Sequence, residues 1–260
     1  MMAATQQSTC PACEPTALTH LGVVEGLALE RALLGEVTAG AIAADVRIWC
    51  SADRALVVPR SLAKGRRFAR ASAVLERLGY PVVVRESGGD VVPQAPGVCN
   101  VAVAFSSSPR ATGGRLSVGA AYEVLCTPLA WWLRRQGVAA DVGPVPGAFC
   151  DGRFNVTIGA RKVAGTAQRW RQTPRGGQAV LAHAALMVDV DIDELVSVTN
   201  MFYRLCGLDR RCEVASHTTL AVALRDAGGG SLMLDARLQG LLTLYRDCLS
   251  PRAGPVLVTV

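Results

Sequence analysis

The segment around Cys150 carries residue types that suit nucleophilic catalysis. Cys150 lies in a predicted loop that leads into a strand, and Asp151, Gly152 and Arg153 follow it directly. A loop cysteine can be accessible, and a neighbouring guanidinium favours the reactive thiolate, although the Asp151 carboxylate opposes it. The chain has nine cysteines, so a buried and inert thiol is the ordinary alternative for any one of them. The pattern makes Cys150 a candidate nucleophile.

A second candidate, Lys162, follows twelve residues later in a segment of small residues. Only two of the 27 basic residues are lysines, which suggests that Lys162 occupies a position where a compact ammonium is needed. Strand alternation predicts Lys162, Ala164 and Thr166 on one face, with Gly165 and Ala167 on the other. Gly165 would then let a ligand chain lie close to the sheet. The alternative is a solvated edge strand.

The third segment of interest runs from Arg85 to Asp90, through Ser87, Gly88 and Gly89, and it follows a predicted strand directly. Paired glycines let the backbone approach a ligand closely, and their N–H groups can bind an anion or a developing oxyanion. The spacing matches neither a P-loop nor a dinucleotide-binding fingerprint. A plain turn is the alternative.

Helices and strands in mixed order must position these three segments. Apolar residues at helical spacing predict helices over residues 21–34, 66–78, 120–136, 196–205, 218–226 and 234–249. β-Rich runs bounded by turn residues predict strands over residues 46–50, 55–59, 82–85, 98–105, 155–158, 162–167 and 180–190. Gly159 and Ala160 form the tight turn of a predicted hairpin. This order indicates an α+β fold with a mixed β-sheet, flanking helices and a helical C-terminal segment.

The three segments together resemble the lipoate–protein ligase and octanoyltransferase superfamily, which shares the biotin/lipoate-ligase catalytic domain. Two sequence elements carry the resemblance, an R-x-S-G-G loop and a looser G-x-K-x-x-G-[ST]-[AS] strand. The matching positions are Arg85, Ser87, Gly88, Gly89, Lys162, Gly165, Thr166 and Ala167. The resemblance covers roughly residues 20–200. We expect a flexible tail over 1–19, a catalytic domain over 20–205, and a helical segment over 206–260 packed on it.

The stretch from Phe149 to Phe154, with Cys150 and Gly152 in place, most resembles the cysteine-dependent amidotransferase branch of this superfamily. That resemblance implies transfer of an octanoyl or lipoyl group, through a Cys150 thioester, to the lysine of lipoyl domains of 2-oxo-acid dehydrogenases. Lys162 would place the acyl carbonyl, and the amides of the glycine loop would stabilise the oxyanion. The donor would be the glycine-cleavage H protein, an acyl-carrier protein or free lipoate, and the sequence does not separate these.

The resemblance also places the remaining motif residues and His183 in the acyl-binding site. His183 lies where ligases of the superfamily have a histidine–glycine pair, although Ala184 replaces the glycine. It is a candidate substrate-binding residue, a candidate general base for Cys150, or a histidine of the core. Asp90 replaces a third glycine of the loop, and its carboxylate would repel a triphosphate. That departure disfavours the closest alternative, an ATP-dependent lipoate–protein ligase acting through lipoyl-adenylate; a non-catalytic acyl or lipoyl-domain binding homologue is the third.

The composition excludes several other classes of protein. Half of the residues are hydrophobic (50%) and 18% are charged, which suits a packed core and argues against disorder. Aromatic residues make up 5%, so binding of nucleic acid by base stacking is not expected. No apolar run reaches the roughly 18 residues of a spanning helix, and the polar start of the chain lacks the features of a signal peptide. We expect a cytoplasmic enzyme without nucleic-acid or membrane partners.

Cysteine usage argues against a metal site and a disulfide framework. Cys10 and Cys13 form a C-x-x-C, which could begin a zinc or redox site, but no second such pair follows. The odd number of cysteines, in a chain large enough for a packed core, is typical of reduced thiols. We expect no metal and no cofactor, with ATP and magnesium required only under the ligase alternative.

Overall fold

The computed structural model describes residues 18–107, 116–228 and 234–250, so Cys10 and Cys13 lie outside the described residues. Within these ranges the chain forms seven α-helices and ten β-strands. The helices are α1 Val23–Ala39, α2 Arg60–Ala63, α3 Phe68–Arg77, α4 Val118–Arg135, α5 Ile192–Cys206, α6 Leu220–Asp226 and α7 Leu234–Leu249. The strands are β1 Thr19–Leu21, β2 Ala44–Ser51, β3 Ala55–Pro59, β4 Val82–Arg85, β5 Val92–Gln94, β6 Val98–Ser107, β7 Ala140–Gly143, β8 Asn155–Ile158, β9 Arg161–Gln172 and β10 Gln178–Met187.

A seven-stranded mixed sheet forms the centre of the fold, in the order β1-β2-β6-β10-β9-β8-β7. β1 and β2 are parallel, and the other neighbouring pairs of this sheet are antiparallel. The register of β10 on β9 places His183 opposite Ala167 and Ala185 opposite Gly165. A smaller sheet has the order β4-β3-β5, and β4 leads directly into the glycine loop. The glycine loop thus leaves the small sheet, whereas the cysteine and lysine segments belong to the β7–β9 region of the large sheet.

Strand alternation divides the core into layers on the two faces of the large sheet. Val101 and Val103 of β6 point to a cluster with α4, α6 and α7, whereas Ala102 and Ala104 point to α1. In the small sheet, Leu56 and Val58 of β3 pack with α3 and α5, and Val57 faces α1. Helix α1 therefore contacts both sheets, which places its side chains between them.

Local sequence signals determine where the long helices begin and end. The Asp191 carboxylate caps α5 by accepting the Glu194 N–H at 3.0 Å, and Gly207 ends it in the left-handed conformation at φ 69°. Ser117 caps α4 in the same way, accepting from the Ala120 N–H at 3.0 Å. None of the described helices is both long and apolar enough to cross a membrane.

The structure confirms the predicted α+β fold with a mixed sheet and flanking helices. The predicted bounds of β3, β4 and α7 are those observed, and α1, α3 and β10 differ from prediction by a few residues at their ends. The sequence does not predict β1, β5, β7 or α2, each of which spans only three or four residues. Elements this short carry too few residues to show a period.

Candidate active site

The turn that carries Cys150 lies between β7 and β8 and is held by a residue from much further along the chain. The Phe149 N–H donates to Nε2 of His217 at 3.1 Å, and the two rings stack with centroids 4.3 Å apart. Nδ1–H of His217 donates to the Glu213 carbonyl at 2.8 Å, so the imidazole is neutral, with its lone pair on the turn. Burial, reinforced by the nearby Lys162 charge, lowers the pKa of His217 to about 4. The sequence gives no sign of this role, because His217 stands alone in an unpatterned segment.

Cys150 has a backbone conformation that is rare for a residue with a side chain. Its φ is 49°, in the left-handed region, and the residue is only 7% exposed. The thiol faces the loop after β4, where Sγ accepts a hydrogen bond from the Asp90 N–H at 3.1 Å. A Cβ at Gly89, which has φ 96°, would lie only 2.9 Å from the sulfur. The structure thus places the predicted nucleophile against the predicted glycine loop.

Lys162 is completely buried (0% exposed) beneath the same turn. Its ammonium donates a short hydrogen bond to the Phe149 carbonyl and a second one, at 3.2 Å, to the Cys150 carbonyl. Within the described ranges no carboxylate forms an ion pair with it. Burial lowers the pKa of Lys162, while the nearby Cys150 and Asp151 oppose that shift. The buried ammonium and the cysteine turn therefore form one unit.

The predicted faces of strand β9 are wrong at Lys162. The β8–β9 register shifts between Val156 and Thr157, where β9 accommodates one extra residue in a β-bulge. A Cβ at Gly165 would lie 2.8 Å from Lys162 Nζ, so the lysine side chain shares a face with Gly165. Ala164, which alternation places with Lys162, packs in the core with α4. A bulge breaks the period of two on which the prediction relied.

Arg85 holds the shape of the glycine loop from inside. Its buried guanidinium donates to the carbonyls of Val57 at 3.2 Å, Gly88 at 2.8 Å and Asp90 at 2.7 Å. Burial lowers the pKa of Arg85, although the adjacent Cys150 and other acidic groups oppose the shift. The Asp90 side chain turns outward and pairs with Arg210 at 2.6 Å. The Asp90 backbone N–H therefore donates to the Cys150 sulfur, while the Asp90 carboxylate is held by Arg210.

A second chain of hydrogen bonds lies beside the cysteine turn. Nε2 of His183 is 2.9 Å from Ser87 Oγ, and its Nδ1 is 2.6 Å from a carboxylate oxygen of Glu30. Sequence reasoning missed Glu30, although one signal was available: it lies between Leu27 and Leu34 on the apolar stripe of α1. His183 therefore makes its contacts with Ser87 and Glu30, and no hydrogen bond between His183 and Cys150 occurs in the described residues.

A cavity lies between the large sheet, the small sheet and α1, and some of the predicted substrate-binding residues line it, whereas Gly88 and Gly89 do not. Its volume is about 410 Å³, open mouth included. The lining residues named in the sequence analysis are Arg85, Gly165, Thr166, Ala167, His183 and Ala184. A neighbouring pocket of about 350 Å³ adds Ser87 and shares Glu30, Arg85 and His183 with the first. No group of three or more metal-ligating side chains occurs in the part of the chain that the structure describes.

The fold and this site define an α+β catalytic domain in which a cysteine turn, a buried lysine and a glycine loop adjoin a cavity between two sheets. The chain matches the family model of the lipoyl protein ligase A/B catalytic domain over residues 23–219. It belongs to this family, and the predicted resemblance is confirmed.

Curated relatives of the chain include octanoyltransferases. The chain is 32% identical over 207 residues to an octanoyl-[GcvH]:protein N-octanoyltransferase of Kyrpidia tusciae, covering 76% of this chain and 68% of the relative. A transferase of the same name from Geobacillus kaustophilus is 32% identical over 156 residues, covering 60% and 52% of the two chains. An uncharacterised protein of Cupriavidus necator is 34% identical over 193 residues, covering 70% and 75%.

Solved structures with the same fold include lipoate–protein ligases. A putative lipoate protein ligase of Thermoplasma acidophilum superposes with a TM-score of 0.61 at 19% identity, covering 90% of this chain and 84% of that one. Lipoate–protein ligase A bound with ATP gives a TM-score of 0.60 at 17% identity, with the same coverage. At these identities the likeness concerns the fold, and it confirms the predicted ligase-like architecture.

Proposed function

We propose that the protein transfers an octanoyl or lipoyl group to the lysine of lipoyl carrier domains through a thioester on Cys150. The observation that carries the proposal is the setting of the Cys150 sulfur, which accepts the Asp90 N–H at 3.1 Å in a strained turn. Strain of this kind persists where the surrounding structure holds a functional group in place. The names of the Kyrpidia and Geobacillus relatives support octanoylated H protein as donor.

The reaction divides into two acyl transfers. The Cys150 sulfur attacks the acyl carbonyl of the donor as the thiol gives up its proton, a C–S bond forms, and the donor's C–N bond breaks as its amine leaves with that proton. The amine of the acceptor lysine then attacks the thioester, a C–N bond forms, and the C–S bond breaks as the sulfur leaves with the proton that the amine loses, which returns the thiol. Both steps pass through an oxyanion, which needs donors near the sulfur.

Lys162 has one donor left for that oxyanion. An ammonium carries three N–H bonds, and two of them point to the carbonyls of Phe149 and Cys150. The third side of the ammonium meets Gly165, where a Cβ would lie at 2.8 Å, and Gly165 lines the cavity. Because residue 165 has no side chain, the third N–H of the buried ammonium lies next to backbone that lines the cavity, and we place the acyl carbonyl there. The Asp90 N–H, which donates to the Cys150 sulfur at 3.1 Å, is a further donor beside it.

No cofactor enters this scheme, because the donor already carries an activated or transferable acyl group. The Asp90 carboxylate occupies the position where the resemblance expects a third glycine in ATP-dependent ligases. Arg210 pairs with this carboxylate at 2.6 Å and offsets its charge.

Intact-protein mass spectrometry tests the proposal. The purified chain is mixed, without ATP, with octanoylated H protein and octanoylated acyl-carrier protein in separate reactions. We expect a hydroxylamine-labile octanoyl adduct that is absent from Cys150→Ala. Cys206→Ala is the matched control, because burial raises the pKa of that thiol and it lies outside the site; its adduct should equal that of the unaltered chain.

Three results contradict the proposal. A stable adduct that persists in Cys150→Ala would assign the nucleophile to another residue. No adduct without ATP, but acyl transfer to a lipoyl domain with lipoate, ATP and magnesium, would establish the ligase alternative. Binding of lipoyl domains that is unchanged by Cys150→Ala, with no transfer under either condition, would establish the non-catalytic homologue.

A further inference from the structure

The Glu30–His183–Ser87 chain has the geometry of a proton relay. The hydrogen bond between Glu30 and His183 Nδ1 is short at 2.6 Å, and that between His183 Nε2 and Ser87 Oγ has an ordinary length of 2.9 Å. The carboxylate side chain is 3% exposed and the imidazole 13%, so water competes little for these contacts. A hydroxyl, an imidazole and a carboxylate in this order are the parts that enzymes use to accept a proton from a nucleophile.

Glu30 is fixed on its other side as well. Trp49 Nε1–H donates to the second carboxylate oxygen at 3.0 Å. The indole reaches this position because residue 26 of α1 is a glycine; a Cβ there would lie 2.5 Å from the ring. One turn later, the helix presents Glu30 to His183. The tryptophan and the glycine therefore aim the carboxylate at the imidazole.

The Glu30 carboxylate also determines which group donates in each of these hydrogen bonds. A carboxylate only accepts hydrogen bonds, so His183 presents Nδ1–H to Glu30 and leaves the Nε2 lone pair for Ser87. The Ser87 hydroxyl then donates its proton to Nε2. Its own lone pairs remain free to accept a hydrogen from an incoming group.

The relay and the cysteine belong to one site. Ser87 lies in the same loop as Gly89 and Asp90, both of which adjoin Cys150 Sγ. Ser87 and His183 line the second pocket, and His183 lines the main cavity as well. Ser87 is therefore carried by the same loop as the residues that contact the Cys150 sulfur.

We propose that Ser87 and His183 deprotonate the acceptor lysine in the second acyl transfer, with Glu30 as a positioning residue; the proposal rests on the Cys150 thioester proposed above. The lysine ammonium gives one proton to Ser87 Oγ as Ser87 gives its own to His183 Nε2. The neutral amine attacks the thioester, and its second proton leaves with the departing Cys150 sulfur. The imidazolium returns its proton to solvent after the amide has formed.

The experiment separates the two acyl transfers. Octanoyl-Cys150 enzyme is formed from octanoylated H protein, isolated, and mixed with unmodified lipoyl domain in a single turnover at pH 7. Adduct formation from octanoylated H protein is the reverse of this reaction, so Ser87→Ala, His183→Gln and Glu30→Gln should also form the adduct more slowly, and each variant is incubated until its adduct is complete. Transfer to the lipoyl domain should fall about 100-fold, the usual contribution of a general base. Glu36→Gln is the matched control, since that carboxylate lies on the exposed side of the same helix.

Hydroxylamine, an amine that needs no base, distinguishes loss of the relay from displacement of the loop. Hydroxylamine is already neutral at pH 7, so its attack on the octanoyl adduct requires no proton acceptor. We expect the three variants to lose the adduct to hydroxylamine at the unaltered rate while transfer to the carrier lysine stays slow. A displaced loop would slow both amines together.

Each outcome has one meaning. Equal loss of rate with both amines, or transfer to the lipoyl domain at the unaltered rate in Ser87→Ala, overturns the relay and leaves the thioester proposal intact. An acyl group found on Ser87 would show that the serine is a nucleophile instead. Absence of any Cys150 adduct in the unaltered chain overturns the proposed function and the relay with it. Thermal unfolding of each variant identifies one that fails to fold, and Ser87→Ala, the smallest change, then decides.

Discussion

The Gly165→Ala substitution should displace the Lys162 ammonium while both predicted catalytic residues, Cys150 and Lys162, are kept. The new methyl carbon would lie 2.8 Å from Nζ and 2.9 Å from Cε of Lys162. Ordinary contacts begin at 3.4 Å, so the ammonium must shift by about 0.6 Å, the difference between 3.4 and 2.8 Å. The atom that moves is the end of a flexible side chain, so most of the strain can be relieved there.

The shift should cost activity far more than stability. Displacement of a catalytic group by about 1 Å can cost ~100-fold in rate, so we expect the rate of Cys150 acylation to fall about 10- to 100-fold. Overpacking should lower the free energy of unfolding by only about 1–2 kcal/mol. The acylation rate is measured by quenched-flow mass spectrometry with octanoylated H protein, and stability by urea unfolding.

Gly143→Ala is the matched control. This glycine lies on β7 of the same sheet, it has no positive φ, and a Cβ there meets nothing within 4 Å. Its acylation rate and its stability should stay near those of the unaltered chain. Acylation by Gly165→Ala within threefold of the unaltered rate would refute the assignment of the Lys162 ammonium to the acyl carbonyl.

Three other changes test the site and its support. Lys162→Arg should lower acylation by more than about 100-fold with a native far-UV circular dichroism spectrum, because a guanidinium cannot replace the ammonium between the turn and Gly165. His217→Gln should remove an acid instability seen by urea unfolding at several pH values. The pKa of His217 falls from 6.5 to about 4 on folding, so the stability it gives is complete above pH 6.5 and lost as pH falls towards 4, at most about 3 kcal/mol. Gly97→Ala should prevent folding, because its Cβ would lie 2.0 Å from the Asp189 carbonyl oxygen, and a native melting transition would contradict this.

Periodicity was enough to predict the elements that form the core. The long helices and strands carry several turns or pleats of apolar residues, and the structure confirms them. No local pattern predicts the short edge strands β1 and β7 or the Pro-containing β5, because these strands depend on partners distant in sequence. The β9 bulge is likewise a property of the pair of strands, since the register shift at Val156–Thr157 involves both.

The sequence predicted only those residues of the candidate site that belong to recognisable motifs. Cys150, Lys162 and the glycine loop were found through residue type and resemblance, and the structure brings them together. Glu30 and His217 were not found, because each acts on a residue far away in the chain: Glu30 on His183, and His217 on Phe149. A single charged residue on an apolar helical stripe is a weak signal in one sequence, and it gains meaning only when the opposing strand is known.

The presence of a lysine at position 162, in a chain that otherwise uses arginine almost throughout, has a structural reason. Arginine supplies all but two of the 27 basic side chains, and exposed sites such as Arg134 and Arg210 tolerate its size. Lys162 has no exposed surface, and its ammonium fits between two carbonyls on one side and a glycine on the other. A planar guanidinium would need more room than the gap between these carbonyls and Gly165 provides. A compact cation with a spare N–H is what this position requires.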